Sequence, residues 1–269
     1  MKVFAPSYYQ NFHCIADKCK NNCCIGWEID IDSKSLANYK DKQDIIKFIE
    51  LSPTPHFRLT HKERCPFLDK NNLCYIIKNY GQESLCQICS DHPRFRNYYD
   101  TRLEIGLGLT CEAATRLILD NDFSLTEIGE EETDEYENSQ EIDFFTQREA
   151  LFSTDINSLR KFLPQLQLKD ISRMLYSLER LDNLWDTYLD KIKHSTTLIC
   201  SIEIKDSKKA QRLFSYFVFR HFFDYGLTFC LLCTFIILSI DGDIYDIARM
   251  FSSEIEYSDE NINKIIELL

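Results

Sequence analysis

Nine of the twelve cysteines in this chain fall between Cys14 and Cys111, gathered in three knots. The first holds Cys14, Cys19, Cys23 and Cys24; the second Cys65 and Cys74; the third Cys86 and Cys89, with Cys111 following. His13, His56 and His92 stand among them. Thiolates are soft ligands, so a cysteine-rich site points first to zinc or to an iron–sulfur cluster. Two four-cysteine zinc sites would be expected to use paired Cys-x2-Cys knuckles. Only Cys86-x2-Cys89 has that form, and the adjacent Cys23-Cys24 suits it badly. Iron–sulfur clusters accept irregular spacings, so the spacing favours a cluster over zinc. One four-iron cluster needs four thiols, which leaves some of the nine for structure or a second metal.

Two further patterns bear on cofactors. Gly106-x-Gly108 follows a strand-like run and precedes a helix-like one, an outline of a nucleotide-binding turn. It lacks a third glycine and an α/β surround, and glycines that let the backbone approach a cluster or a packed helix closely explain it better. His92, beside Pro93, Arg94 and Arg96, reads as a ligand, a proton carrier or simply a surface histidine. The Cys-x3-Cys-x2-Cys of a radical S-adenosylmethionine enzyme is missing, since Gly26 stands where its third cysteine would fall.

The elements that must position these groups are legible in outline. The alternation in Glu28–Asp32 reads as a short strand, and Asp32 or Ser33 as the cap of a helix to about Glu50. Cys65 and Cys74 flank the polar turn Asp69-Lys70-Asn71-Asn72, the outline of a hairpin. A helix from near Cys74 should stop at Gly81. Leu103 to Leu109 reads as a strand, and Thr110 as the cap of a helix from Cys111 to Leu119. Residues 122–143 carry ten acidic side chains and no basic one, and read as a solvated linker.

Beyond Phe144 the pattern is helical: Leu168, Ile171, Leu175, Leu178, Leu181, Leu184, Tyr188 and Ile192 recur at steps of three and four. Asp206 or Ser207 caps a helix carrying Leu213, Phe214, Phe217 and Val218, and Ser258 opens the last. The expected architecture is mainly α: a cysteine-rich, metal-nucleated domain over 1–121 with a few short strands, an acidic linker over 122–143, and a helical domain over 144–269.

Composition narrows the partners. At 269 residues and 44% hydrophobic, the chain can bury a sizeable core. A net charge of −12 argues against binding a phosphate backbone and suits basic partners. Residues 1–10 hold no secretory apolar run, so the cytoplasm is expected, where disulfides are disfavoured. The uncharged run Tyr225–Ile240 falls short of the ~20 residues that span a bilayer and reads as a buried core helix, with Cys230 and Cys233 as small apolar side chains.

The motifs also resemble a known family. Pro6-Ser7-Tyr8-Tyr9, Phe12-His13-Cys14, Cys19-x3-Cys23-Cys24-Ile25-Gly26-Trp27, Arg64-Cys65-Pro66-Phe67-Leu68, Leu85-Cys86-Gln87-Ile88-Cys89-x2-His92-Pro93-Arg94-Phe95 and Gly106-Leu107-Gly108-Leu109-Thr110-Cys111-Glu112-Ala113-Ala114 look like the flagellin lysine-N-methylases. These in turn resemble small cysteine-rich proteins that chelate zinc or iron. In the second half, Tyr216-x3-Arg220-His221-Phe222 and Ser253-Glu254-Ile255-Glu256-Tyr257-Ser258 are also similar, although the chain is shorter after Phe152 than many members.

The resemblance implies methyl transfer from S-adenosylmethionine to lysines of flagellin, in a protein carrying a four-iron cluster. A lysine amine, with a pKa near about 10.4, must lose a proton before it attacks. Tyr8, Tyr9, Glu104 and Glu112 are the candidates to assist. Gly106, Gly108, His92 and Arg94 are the candidates to contact the cofactor. Cys14, Cys19, Cys23, Cys24, Cys86 and Cys89 are expected nearest the chemistry, with Cys65, Cys74 and Cys111 completing the ligand set. The rival reading is a non-enzymatic zinc- or iron-binding or metal-delivery protein.

Overall fold

The first strand of the chain pairs with strands about a hundred residues further on. In a computed structural model, which describes residues 1–20, 22–131 and 139–269, the strands in chain order are β1 (Lys2–Pro6), β2 (Ile29–Asp30), β3 (Ile49–Glu50), β4 (His56–Phe57), β5 (Arg94–Tyr98), β6 (Arg102–Leu107) and β7 (Leu125–Glu130). The α-helices are α1 (Ser33–Tyr39), α2 (Gln43–Ile46), α3 (Tyr75–Tyr80), α4 (Gln87–Asp91), α5 (Glu112–Asp120), α6 (Ser139–Phe152), α7 (Leu168–Tyr176), α8 (Leu184–Leu189), α9 (Ser207–Ser239), α10 (Ile244–Phe251) and α11 (Asp259–Ile266). The fold is mainly α with two small sheets, and the chain divides into two units.

The larger unit comprises Met1–Phe12 and Phe95–Leu269. Its sheet has the order β5-β6-β1-β7, with β1 parallel to β6 and antiparallel to β7. Val3, Ala5, Leu103 and Leu107 are buried. The expected boundary at residue 121 is therefore not where the structure divides: residues 1–12 and 95–121 join the helical segments because β1 completes their sheet. The acidic stretch is not simply a linker either, since its described part supplies β7 and the start of α6. Residues 132–138 of that stretch lie outside the described residues.

Helix α9 is the spine of this unit. Asp206 caps it, accepting from the amides of Lys208 and Lys209 at 3.1 Å and 3.0 Å. The two helices expected from sequence run together through Gly226, whose φ of 75° breaks the helical geometry. A side chain would resist that conformation, and glycine does not. By length and hydropathy α9 could cross a membrane, but Leu213, Phe214, Phe217, Phe229, Leu232 and Phe235 are fully buried core residues. Cys230 and Cys233 are buried there too, as expected of small apolar side chains. The periodic run from Leu168 to Ile192 breaks into α7 and α8. Ser258 caps α11 through the Asn261 amide, as its sequence signal implies.

The smaller unit, His13–Arg94, has the three-stranded sheet β2-β4-β3 and a core of Ile29, Ile31, Tyr39, Ile45, Phe57, Phe67 and Ile76. Asp32 caps α1 through the Ser35 amide at 2.9 Å, but the helix ends at Tyr39, with α2 and β3 replacing its expected continuation to Glu50. The hairpin is present: Leu68 bridges Cys74, and the Asp69 carboxylate accepts from the amides of Asn71 and Leu73 at 2.8 Å and 3.0 Å. Helix α3 ends at Gly81, at a φ of 84°.

Candidate functional site

Backbone hydrogen bonds in the smaller unit stitch the cysteine knots together. The Cys65 amide donates to the Cys24 carbonyl at 2.8 Å, Ile25 bridges Arg64, and the Gly26 amide donates to the Glu63 carbonyl at 3.0 Å. The first knot is thereby held against the second. The Trp27 indole N–H donates to the Cys23 carbonyl, which closes the turn that carries Cys23 and Cys24. Asp32 fixes the third knot. Its second carboxylate oxygen accepts from the Gln87 amide at 2.8 Å, so one side chain caps the first turn of both α1 and α4. Burial alone would raise the Asp32 pKa, but the amides of Gln87 and Ser35 bring it down to about 2.

Six thiols then influence one another. The Cys89 thiol donates to Cys86, which keeps the proton on Cys89 and lowers the pKa of Cys86. Cys23, although exposed, hydrogen-bonds Cys24, and that bond together with desolvation raises its pKa. His92 lies within reach of the same thiol and acts in the opposite sense. Burial raises Cys65 to about 11 and raises Cys74 as well, with Cys86 and Cys23 adding to both. Cys24 and Cys65 also bear on Cys89. The result is a set of partly dehydrated sulfur donors within the smaller unit.

Among the described residues, no three His, Cys, Asp or Glu side chains are grouped closely enough to hold a metal ion as they stand. The sequence expectation of a metal-nucleated domain is corrected to that extent: the smaller unit has an apolar core of its own, and the thiols surround it. The donor set is nevertheless, by residue type, one that suits a soft metal or an iron–sulfur cluster, since it is rich in sulfur. Its second mark is the Nε2 of His92, which is buried and has no hydrogen-bond partner.

The remaining expected ligands are placed differently. Cys14 is exposed in a turn where the Ala16 amide donates to its sulfur at 3.4 Å, and Cys19 is half-buried. Cys111 belongs to the larger unit, where it precedes α5 and accepts the Thr115 amide. The expected Thr110 cap is not formed. Its hydroxyl meets that of Ser253 at 2.8 Å instead. Arg94 spends its guanidinium partly on the Ser90 carbonyl at 3.3 Å.

The catalytic candidates all lie in the larger unit. Glu104 is fully buried and held by Arg148 through two bonds of 2.8 Å and 2.6 Å, with Arg102 at 2.8 Å. Its two carboxylate oxygens are thereby committed to guanidinium donors. Tyr8 is buried, and burial pushes its phenol well above the ordinary value. Tyr9 is half-buried, and Glu112 lies 3.8 Å from Arg116, one turn along α5. Gly106 is packed rather than open: a Cβ there would stand 2.2 Å from the Phe95 ring and 2.9 Å from Phe219. Gly108 accepts the Cys111 amide in the turn that follows β6. A cavity of about 310 Å³ between Asp122, Phe152, Lys208 and Arg212 is lined by none of the expected residues.

The larger unit also holds a buried ionic group absent from the expected site. Tyr216, Arg220 and His221 lie on one stretch of α9, and all engage Glu256 in the π-helical segment Ser252–Glu256. The Tyr216 hydroxyl lies 2.9 Å and 3.1 Å from the two Glu256 oxygens, accepts from Arg220 at 2.8 Å, and is met by the Leu109 amide at 3.3 Å. The spacing Tyr216-x3-Arg220-His221 put these side chains on one helix face. Their partner lay 35 residues away and could not be read.

The geometry defines a mainly α protein with a cysteine-rich smaller unit, of whose thiols Cys65 and Cys86 are buried, and a buried ion network in the larger one. Related proteins say more. The chain is 28% identical over 133 residues to proteins named lysine-N-methylase from Salmonella choleraesuis strain SC-B67 and Salmonella typhimurium, covering 44% of this chain and 33% of each relative. It is 28% identical over 145 residues to the flagellar biosynthetic protein FliU of Salmonella muenchen, covering 49% of this chain and 84% of that one. The chain is thus similar to proteins named for lysine methylation and for flagellar biosynthesis. The match to the two lysine-N-methylases spans a third of their length. No family model matches the chain, and no solved structure does.

Proposed function

We propose that this protein takes part in methylating lysine side chains of flagellin, with S-adenosylmethionine as methyl donor and a metal centre, an iron–sulfur cluster before zinc, in the smaller unit. The relatives' names support lysine methylation of a flagellar protein. The cysteine content of the smaller unit, with the Cys65 amide bonded to the Cys24 carbonyl, is what supports the metal reading.

In the transfer, the lysine nitrogen forms a bond to the methyl carbon, the carbon–sulfur bond breaks, and the lysine proton leaves. The six thiols are the residues that would hold the metal, losing their protons as they bind it. Of the four candidates to receive the lysine proton, Tyr9 is the one neither clamped by arginines nor buried. An acidic surface draws a lysine-rich substrate, an attraction that weakens with salt.

The test is anaerobic purification followed by incubation with flagellin and methyl-labelled S-adenosylmethionine. Label on flagellin lysines, lost when Cys86 and Cys89 are replaced by serine, supports the proposal. A protein that binds iron or zinc but transfers no methyl supports the metal-binding alternative instead.

A further inference from the structure

We propose that the cavity beside the first turns of α9 binds S-adenosylmethionine, with Lys208 meeting its carboxylate and Phe123 and Phe152 packing its adenine ring. This rests on the methyl-transfer reading above. The cavity, of about 310 Å³, falls within the range of small-molecule sites. Lys208, Gln211, Arg212 and Ser215 line it at steps of three and four along α9, so they form one polar stripe on a helix that also buries Leu213, Phe214 and Phe217. Ser215, at the inner end of the stripe, is 1% exposed and makes no hydrogen bond among the described residues. Buried hydroxyls normally have a partner, and one that faces a cavity takes it from whatever the cavity holds.

The walls sort the ligand by its chemistry. The Phe123 and Phe152 ring centroids stand 4.3 Å apart and offer an aromatic surface to a planar ring. Gln211 holds that wall against α9 by donating to the Phe152 and Thr154 carbonyls at 3.4 Å and 3.1 Å. At the exposed mouth, the Lys208 ammonium has no ion pair among the described residues and suits a carboxylate. Asp206 already caps the amides of Lys208 and Lys209, so the Lys208 side chain, rather than the helix end, is the group that receives the anion. Arg212 donates to Oδ1 of Asp122 at 3.0 Å and 2.9 Å and to the Leu119 carbonyl at 2.9 Å. That leaves Oδ2 of Asp122, on a side chain 91% exposed, to face a cation. An aromatic wall, an ammonium and a carboxylate match the adenine ring, the carboxylate, and the ammonium and sulfonium charges of S-adenosylmethionine. Adenosine triphosphate shares the ring but would set its phosphates against Asp122.

The test is equilibrium dialysis of the full chain, purified anaerobically, against labelled S-adenosylmethionine, with and without unlabelled adenosine triphosphate. Wild type, Lys208→Gln, Ser215→Ala and, as a charge control in the smaller unit, Lys34→Gln are compared, with circular dichroism to check each fold. Lys208→Gln and Ser215→Ala are each expected to weaken binding about 3- to 10-fold, the loss of one hydrogen bond. Lys34→Gln is expected to bind like wild type. Should Ser215→Ala fail to fold, Lys208→Gln at the exposed mouth decides. Lys208→Gln protein that binds like wild type, equal weakening by Lys34→Gln, or displacement by an equal concentration of adenosine triphosphate overturns the assignment and leaves the methyl-transfer reading standing. A wild type that binds no S-adenosylmethionine overturns that reading and the site with it.

Discussion

The Nε2 of His221 lies 2.6 Å from Oε1 of Glu256, in the core of the larger unit. Burial holds the His221 pKa below its ordinary value, so the neutral ring donates its N–H to the carboxylate. Burial would also raise Glu256, but Arg220 and then His221 outweigh it and bring the carboxyl down to about 2. One charge balance thus joins α9 to the π-helical turn after α10.

Removing one partner of this group should unfold the protein more readily. Glu256→Gln leaves the Arg220 guanidinium buried without its counter-charge, a change that costs on the order of 3–5 kcal/mol. Urea unfolding should show a lower midpoint with an unchanged slope. A midpoint equal to wild type would mean that the network is not formed.

The same group sets an acid limit. Both groups have folded pKa values below their unfolded ones, so the folded chain binds fewer protons than the unfolded chain at acid pH. The His221 contribution is complete above its ordinary 6.5 and declines as pH falls below that value. The Glu256 contribution is complete above 4.5 and is lost as pH falls toward about 2. Thermal unfolding between pH 7 and pH 3 should show a falling midpoint, and Glu256→Gln should flatten the lower part of the curve.

Glu104 and Arg148 should behave as a structural pair. Glu104→Gln or Arg148→Met alone should cost on the order of 3–5 kcal/mol, whereas a double replacement by apolar residues of similar size should recover much of the loss. If Glu104 were a catalytic base, the stable double variant would lose methyl transfer altogether. Retained activity in that variant assigns the carboxylate to the fold.

Gly106→Ala should destabilise through Phe95, since the new methyl would stand 2.2 Å from its ring. Overpacking of this kind costs about 1–3 kcal/mol. Phe95→Leu, combined with Gly106→Ala, should restore part of the melting temperature. No restoration would place the clash with Phe219.

Among the thiols, Cys14→Ser should leave metal uptake unchanged, and Cys89→Ser should abolish or strongly weaken it. Cys14 is exposed in a local turn, whereas Cys89 touches Cys86 and feels Cys24 and Cys65. Metal analysis of the two proteins side by side decides the matter.

The sequence by itself determined the local pieces. The caps at Asp32, Asp206 and Ser258, the stop at Gly81 and the Asp69–Asn72 hairpin turn depend on neighbours within a few residues, and all were readable. The cysteine knots were equally plain, because residue type and spacing are what a ligand set requires.

Tertiary structure alone decided what joined over distance. It sent β1 to β6 and Cys111 to the larger unit, tied Glu104 to Arg148, and brought Glu256 to His221. It also gave Asp32 a second helix to cap, which sets α4 and the Cys86 that precedes it. Side chains 35 to 100 residues apart leave no periodic trace in a single sequence, since their meeting depends on the burial of everything between them.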